Sequence, residues 1–421
     1  MMRTSTSVYC GSEAIDRLIE YCRERQSCQS RQLDGFLLVS DENTHAVLGA
    51  RAEAALKAQG WDVRTVVLNG EEVIAGEEAI VQVLLAAGGD QWTYVAVGSG
   101  TVTDVTRFCS HRTRSDFISL PTAPSVDAYT SITASLVVRR AKITTTAQPP
   151  LAVLADLPTL CQAPAGMIAA GFGDMLAKYV ALADWALAAA ITDEPYSAEI
   201  AQRMRRAVVD CAAHAQEIGE HSAPGIETLM AGLLESGRCM VECGHSRPAS
   251  GSEHLPSHFW EMRLRQERRP PILHGARVAI GTLLAAQRYE AIRGLAQQDV
   301  VARLARARPP DREAERMRIQ AAFGPAADRI VAEYTPFIDR MVQSLYVWRK
   351  RIVDRWADVQ RIAGGVPLPE ELAELLKHAR APTTPQEIGL EGDDLQQALR
   401  YSHYVRNRFT VNTLGQMLGL W

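Results

Sequence analysis

Apolar residues recur along the first third of the chain in short runs that alternate with amphipathic stretches. Ala14–Arg25 carries its apolar positions at helical spacing, and Gly35–Asp41 is a buried-strand run that ends in an acid. The pattern then predicts a helix over Thr44–Gln59 stopped by Gly60, a strand over Val63–Leu68 and a helix over Gly76–Ala87. Further strands follow over Thr93–Gly98 and Phe117–Leu120. Strands separated by helices imply a parallel sheet with right-handed crossovers. After about residue 165 the strand patterns stop. Gly173–Ala190, Ala198–Glu220, Ile226–Gly237, Ala276–Glu290, Glu313–Phe323, Ala327–Ala363, Pro369–Ala379 and Asp393–Arg406 repeat apolar residues at the helical period. The expected architecture is an α/β domain over residues 1–162 followed by an all-helical domain over 163–421.

Composition narrows the class. A chain of 421 residues exceeds one ordinary core, and 47% hydrophobic with 22% charged residues is globular usage. A net charge of -4 with no basic tract argues against a nucleic-acid partner, and the short Arg263–Arg269 run reads as a solvated face. The 8 cysteines are scattered without a second pair at finger spacing, as expected of reduced thiols in the cytoplasm. Met1–Gly11 lacks the apolar core of a signal peptide. No apolar run is expected to reach membrane-spanning length, since Leu182–Ile191 is short and contains Asp184. A cytoplasmic enzyme or binding protein with a small-molecule partner remains.

Two places carry chemistry. The first is Gly98-Ser99-Gly100-Thr101-Val102-Thr103-Asp104, after a strand and before a helix predicted over Val102–Arg112. Glycines there let the backbone approach a phosphate, and amides at the helix start favour its charge. The loop is not the full dinucleotide fingerprint, because Thr103 stands where the third glycine belongs. The hydroxyl-rich loop Pro121–Ser131 follows the next strand, and two polar loops at neighbouring strand ends make a ligand crevice. Asp41 could accept from a ribose or cap the helix that follows it. The second place is Glu242–Met262, where His254 and His258 sit four apart and so share a helix face. His274 follows at a loop-to-helix junction, and Asp174 lies just inside an earlier helix. One carboxylate with two or three imidazoles suits zinc, iron or nickel.

These stretches resemble the glycerol-1-phosphate dehydrogenases, within the iron-containing alcohol dehydrogenase and dehydroquinate synthase-like superfamily, and most closely its bacterial AraM-type branch. The motifs are GSGTVTDVTRF (98–108), PTAPSVDAYTS (121–131), AGFGDMLAKYVALADW (170–185), SRPASGSEHLPSHFWEM (246–262) and LHGARVAIGT (273–282). The likeness covers roughly residues 35–290. It implies a dehydroquinate synthase-like fold with an N-terminal dinucleotide-binding domain. It implies NAD(H) or NADP(H) held by Gly98, Ser99, Gly100, Thr101, Val102, Thr103, Asp104, Thr122, Ala123, Pro124, Ser125, Ser131 and Asp41. It implies one divalent ion (Zn, Ni or Fe) on Asp174, His254 and His274, and catalytic roles for Asp127, Asp174 and His258. The implied reaction interconverts glycerone phosphate and sn-glycerol 1-phosphate, in a homodimer. Another polyol dehydrogenase and a sugar-phosphate cyclase are the alternatives. Ala128, His245 and Pro256 depart from the pattern, and Arg247 either meets a substrate phosphate or braces its loop.

Overall fold

The computed structural model describes residues 6–28, 35–70, 73–138 and 141–421. The first five residues, part of the segment read for a signal peptide, lie outside them. The chain opens with β1 (Ser7–Gly11), α1 (Ala14–Cys28), β2 (Phe36–Asp41), α2 (Glu42–Thr44), a π-helical turn (His45–Gly49) and α3 (Ala50–Lys57). There follow β3 (Val63–Leu68), α4 (Glu77–Ala87), β4 (Thr93–Val97), α5 (Gly100–Arg112) and β5 (Phe117–Leu120). A 3-10 turn (Ala128–Thr130) leads to β6 (Thr133–Val138), β7 (Ala141–Thr146), β8 (Ala152–Asp156) and α6 (Leu157–Cys161). Beyond residue 161 the described residues are helical or irregular: α7 (Ala165–Leu176), α8 (Lys178–Thr192), α9 (Ala198–Ala213), α10 (Ala215–Gly219), α11 (Ala223–Cys243), α12 (His254–Gln266) and α13 (His274–Arg293). The last are α14 (Gln297–Arg306), α15 (Arg312–Phe323), α16 (Ala327–Asp354), α17 (Trp356–Gly364), α18 (Pro369–His378), α19 (Asp394–Tyr401) and α20 (Val411–Met417).

Six strands form one parallel sheet in the order β1-β8-β5-β4-β2-β3, and β6 and β7 pair as an antiparallel hairpin. Alternation along the strands builds a core on each face of the sheet. Leu37, Val39, Tyr94 and Ala96 pack with Val83 of α4 and Val105 of α5. Phe36, Leu38, Val95 and Val97 pack with Leu18 of α1 and Leu56 of α3. From β2 the chain steps outward to β3, and from β4 it steps the other way to β5. The reversal falls between β2 and β4, the usual ligand-binding point of such sheets.

Several boundaries differ from the sequence reading. The helix expected at Thr44 starts at Glu42 and contains the π-helical turn. The helix expected from Val102 begins at Gly100, which places two loop residues in its first turn. β1, β6, β7 and β8 were not expected; β8 is Ala-Val-Leu-Ala-Asp, whose alanines and leucine read equally well as helix. The long helices predicted over 173–190, 198–220 and 327–363 break near Ala177, His214 and Arg355. Pro256 is the third residue of the first turn of α12, where its missing N–H has no intrahelical partner to lose.

The chain divides into two compact units, Met1–Gly171 with His214–Glu242 and Phe172–Ala213 with Cys243–Trp421. This differs from a cut after residue 162. The 214–242 stretch joins the α/β unit, where the Ser236 hydroxyl donates to Asp127 Oδ2 at 2.7 Å and the Thr130 hydroxyl to the Leu234 carbonyl at 3.4 Å. The expectation that no apolar run is long enough to span a membrane is corrected too. Ala165–Thr192 passes by length and composition, but 78% of its most apolar window is buried in the protein, as in a core helix. Seven cysteines are free among the described residues, and burial pushes Cys22, Cys109 and Cys211 up to about 12.

Candidate active site

In the helical unit, Asp174, His254 and His274 each point one ligand atom at a common spot, all within 4.8 Å of one another. Helix packing brings them there. A methyl at Gly173 would lie 2.6 Å from the Gly275 carbonyl, so only glycine lets α7 carry Asp174 up to the start of α13 and His274. Gly281, two turns further along α13, likewise admits the Glu253 carbonyl, 2.0 Å from where its Cβ would be, and so seats the start of α12 with His254. The His254 and His274 ring centroids are 5.2 Å apart. One carboxylate and two imidazoles, convergent, with Asp174 and His254 buried and His274 half-buried, fit a divalent transition metal. His258 lies beside this group rather than in it, with its ring 5.9 Å from His254 and 5.8 Å from His274.

The charges around the cluster are compensated. Lys178 Nζ lies 2.8 Å from Asp174 Oδ1, one helical turn on, and both side chains are buried. Burial alone would push the Asp174 carboxyl up; the Lys178 ammonium, with His254 and His274, holds it well below the usual range. Burial would lower His254, whereas Asp174 and Glu253 raise it above an ordinary imidazole. Arg277 ties α13 to α12 through Glu261 Oε2 at 3.2 Å, and the same oxygen is 3.8 Å from His258 Nδ1. Lys178, Glu253 and Arg277 were not singled out from sequence. Lys178 at i+4 from Asp174 was a signal that could have found the first.

In the α/β unit, β4 feeds a tight turn at Gly98 into α5. Ser99 makes no side-chain capping bond, so the first-turn amides of Gly100, Thr101 and Val102 are not satisfied from the N-cap side chain. Phosphate oxygens suit such amides. The neighbouring loop is tied down by Thr122 N, which donates to the Gly98 carbonyl at 3.4 Å, and by the Tyr129 hydroxyl, which donates to the Ala123 carbonyl at 2.5 Å. Buried Arg107 donates to Asp104 Oδ1 (2.7 Å) and to the carbonyls of Ala128 (2.7 Å), Tyr129 (3.0 Å) and Thr133 (3.1 Å). Asp104 Oδ2 also accepts from Ser135 N at 3.2 Å, so this carboxylate serves the frame of the loop. Ser131 Oγ accepts from Thr133 N at 3.0 Å. Asp41 caps α2, accepting from Thr44 N at 2.8 Å.

The iron-containing alcohol dehydrogenase family profile matches residues 9–164. A protein of Geobacillus thermodenitrificans named glycerol-1-phosphate dehydrogenase (NAD(P)+) is 35% identical over 404 residues, 95% of this chain and 89% of its own length. One of the same name from Bacillus subtilis is 34% identical over 406 residues, 96% of this chain and 89% of its own. The chain belongs to the glycerol-1-phosphate dehydrogenase family. A crystal structure of glycerol dehydrogenase from Schizosaccharomyces pombe shares the fold, with a TM-score of 0.61 at 16% identity over 99% of this chain and 89% of that one. Membership in the glycerol-1-phosphate dehydrogenase family makes this an NAD(P)-dependent dehydrogenase.

The departures from the family pattern have structural roles. The Ala128 carbonyl is one of the Arg107 acceptors, a main-chain role that any residue there can fill. His245 packs edge-on against Trp185, with centroids 5.8 Å apart, and its Nε2 is 3.3 Å from Cys243 Sγ. Arg247 braces its loop through Glu194 and the Phe409 carbonyl (3.4 Å). Arg408 grips the same loop through the Ser250 carbonyl (2.6 Å) and Ser246 Oγ (2.7 Å). Trp185 and Trp260 are packing residues, their indole N–H groups donating to the carbonyls of Pro195 (2.8 Å) and Asp394 (3.0 Å).

Proposed function

We propose that the protein reversibly converts glycerone phosphate to sn-glycerol 1-phosphate with NADH or NADPH and one divalent metal ion. The convergent Asp174–His254–His274 cluster carries this reading, in a chain whose relatives of that name match it over most of their length. Asp174, His254 and His274 would hold zinc, nickel or iron through three ligand atoms, leaving a position for substrate. The ion would supply Lewis acidity to the substrate oxygen, and the nicotinamide would carry the hydride. His258, beside the cluster, is assigned to the substrate hydroxyl and its proton. Asp127, oriented by Ser236, is assigned to the reacting end of the substrate. Residues 98–104, Thr122–Ser125, Ser131 and Asp41 are assigned to the dinucleotide, whose phosphates the first turn of α5 would receive. A cytoplasmic homodimer completes the proposal.

The test is a substrate panel on metal-reconstituted protein with each cofactor. The expected result is oxidation of NADH or NADPH on adding glycerone phosphate, with the 1-phosphate and not the 3-phosphate as product. Turnover of glycerone with the phosphate ester ignored would move the assignment to another polyol.

A further inference from the structure

We propose that Glu253 is a positioning residue that fixes the tautomer and aim of His254, and that Asp184 holds Glu253 in place from behind. The inference rests on the metal assignment above. His254 Nδ1 lies 2.7 Å from Glu253 Oε1, while its Nε2 faces Asp174 Oδ1 at 3.6 Å. A carboxylate only accepts, so Nδ1 carries a proton toward Glu253, which would make Nε2 the nitrogen that offers its lone pair to a metal beside Asp174. Glu253 is itself locked. It is the residue just before α12, and its Oε1 also accepts from Gly251 N at 2.7 Å, folding the side chain back over its own loop.

Asp184 closes the other side of that loop. Its Oδ2 accepts from Ser252 N at 2.6 Å, and its Oδ1 accepts from the Tyr289 hydroxyl and from Val411 N, each at 2.7 Å. A methyl at Gly251 would lie 2.6 Å from Asp184 Oδ2 and 2.8 Å from Glu253 Oε2, so the two carboxylates close on a backbone with no room for a side chain. Burial, and after it the Glu253 charge, push Asp184 up to about 6. Donors from α13 and from the start of α20 thus converge on one carboxylate of α8, which fixes the turn that aims a metal ligand. This gives the segment at Val411, far beyond the motif-bearing part of the chain, a stake in the site.

The experiment strips the full-length protein of metal and measures zinc affinity by chelator competition for wild type, His254→Ala, Glu253→Ala, Glu253→Gln and Asp184→Asn. Imidazole nitrogen shifts of His254 are recorded by NMR on the first and on the two Glu253 variants. Glu253→Ala is expected to lose about 10- to 100-fold in zinc affinity and to show mixed His254 tautomers. Glu253→Gln, whose amide oxygen still accepts from Nδ1, keeps the tautomer and most of the affinity; Asp184→Asn loses affinity in the same direction as Glu253→Ala. If Glu253→Ala fails to fold, the glutamine variant and its NMR signature decide. Wild-type affinity in Glu253→Ala, a tautomer mixture in Glu253→Gln, or unchanged affinity in Asp184→Asn would each overturn the proposal. Equal zinc binding by wild type and His254→Ala would instead bring down the metal assignment beneath it.

Discussion

The α/β unit and the helical unit assemble their candidate sites in opposite ways. In the α/β unit the candidate ligand-binding features are local: a glycine turn after β4, the amides that open α5 and a hydroxyl-bearing loop after β5. Each comes from a few consecutive residues. In the helical unit the features are distant side chains: His254 stands 80 positions after Asp174, and His274 20 positions after His254. They meet because α7, α12 and α13 pack at glycines. Main-chain sites tolerate many side chains and fail one ligand at a time. A buried cluster of charges ties ligand binding to folding, so damage to one member spreads.

Breaking the cluster should give the largest effects. His254→Ala and His274→Ala are expected to purify with little metal and no turnover, since each would remove one of the three proposed ligands. His258→Ala is expected to keep near-stoichiometric metal and to lose about 100-fold in turnover if it relays a proton. Metal analysis beside rates checks all three, and metal loss from His258→Ala with retention in His274→Ala would move the third ligand. Lys178→Met follows in size. It leaves Asp174 buried without its ammonium partner, which should destabilise the metal-free protein by about 3–5 kcal/mol. Bound metal supplies the missing positive charge, so denaturation with and without zinc should show the deficit shrinking in its presence. An equal deficit in both would mean that Lys178 matters for packing alone.

How much of this was legible from sequence follows the same division. The turn at Gly98 could be read because strand, glycine and helix are neighbours in sequence and each obeys a local rule. His254 and His258 announced a shared helix face by spacing, yet spacing alone could not choose His274 over His258 as the partner of His254. The convergence of His274 with His254 and Asp174 depends on Gly173 and Gly281, which only look like small residues until the helices cross. Arg107 and Lys178 do not stand out in the sequence, because a cation three or four residues from an acid on a helix is usually a solvated pair; here both are buried. The 214–242 stretch reads as one more helical segment, and nothing local reveals that it belongs with Asp127.

A change in the α/β unit should be narrower. Gly100→Val puts a branched side chain on the first residue of α5, where its nearest neighbour is Val126 Cγ2 at 3.4 Å from the new Cβ. The protein has room for it at modest cost, but an approaching phosphate would not. Losing one charge-assisted bond to an amide is worth about 1.5–3 kcal/mol, so nicotinamide cofactor affinity should fall by roughly ten- to a hundredfold. Metal content and unfolding midpoint should hold. Unchanged cofactor binding by titration would reduce the loop to an ordinary turn.

The finest test concerns Asp41, where one carboxylate is assigned two jobs. The structure shows one of them: Oδ1 caps α2 through Thr44 N, and the Thr44 hydroxyl returns the favour by accepting from Asp41 N at 2.9 Å. The other, accepting from a ribose, is proposed. Serine separates them, because its hydroxyl caps a helix about as well as a carboxylate but offers one short oxygen in place of two. Asp41→Ala is expected to cost about 1 kcal/mol of stability through the lost cap, and Asp41→Ser to recover most of it. Cofactor affinity should fall in both variants and stay low in the serine one, since a ribose beyond the strand end needs the longer, charged acceptor. Denaturation curves and cofactor titrations on the same two proteins decide the point: if serine restores binding along with stability, Asp41 is a cap and nothing more.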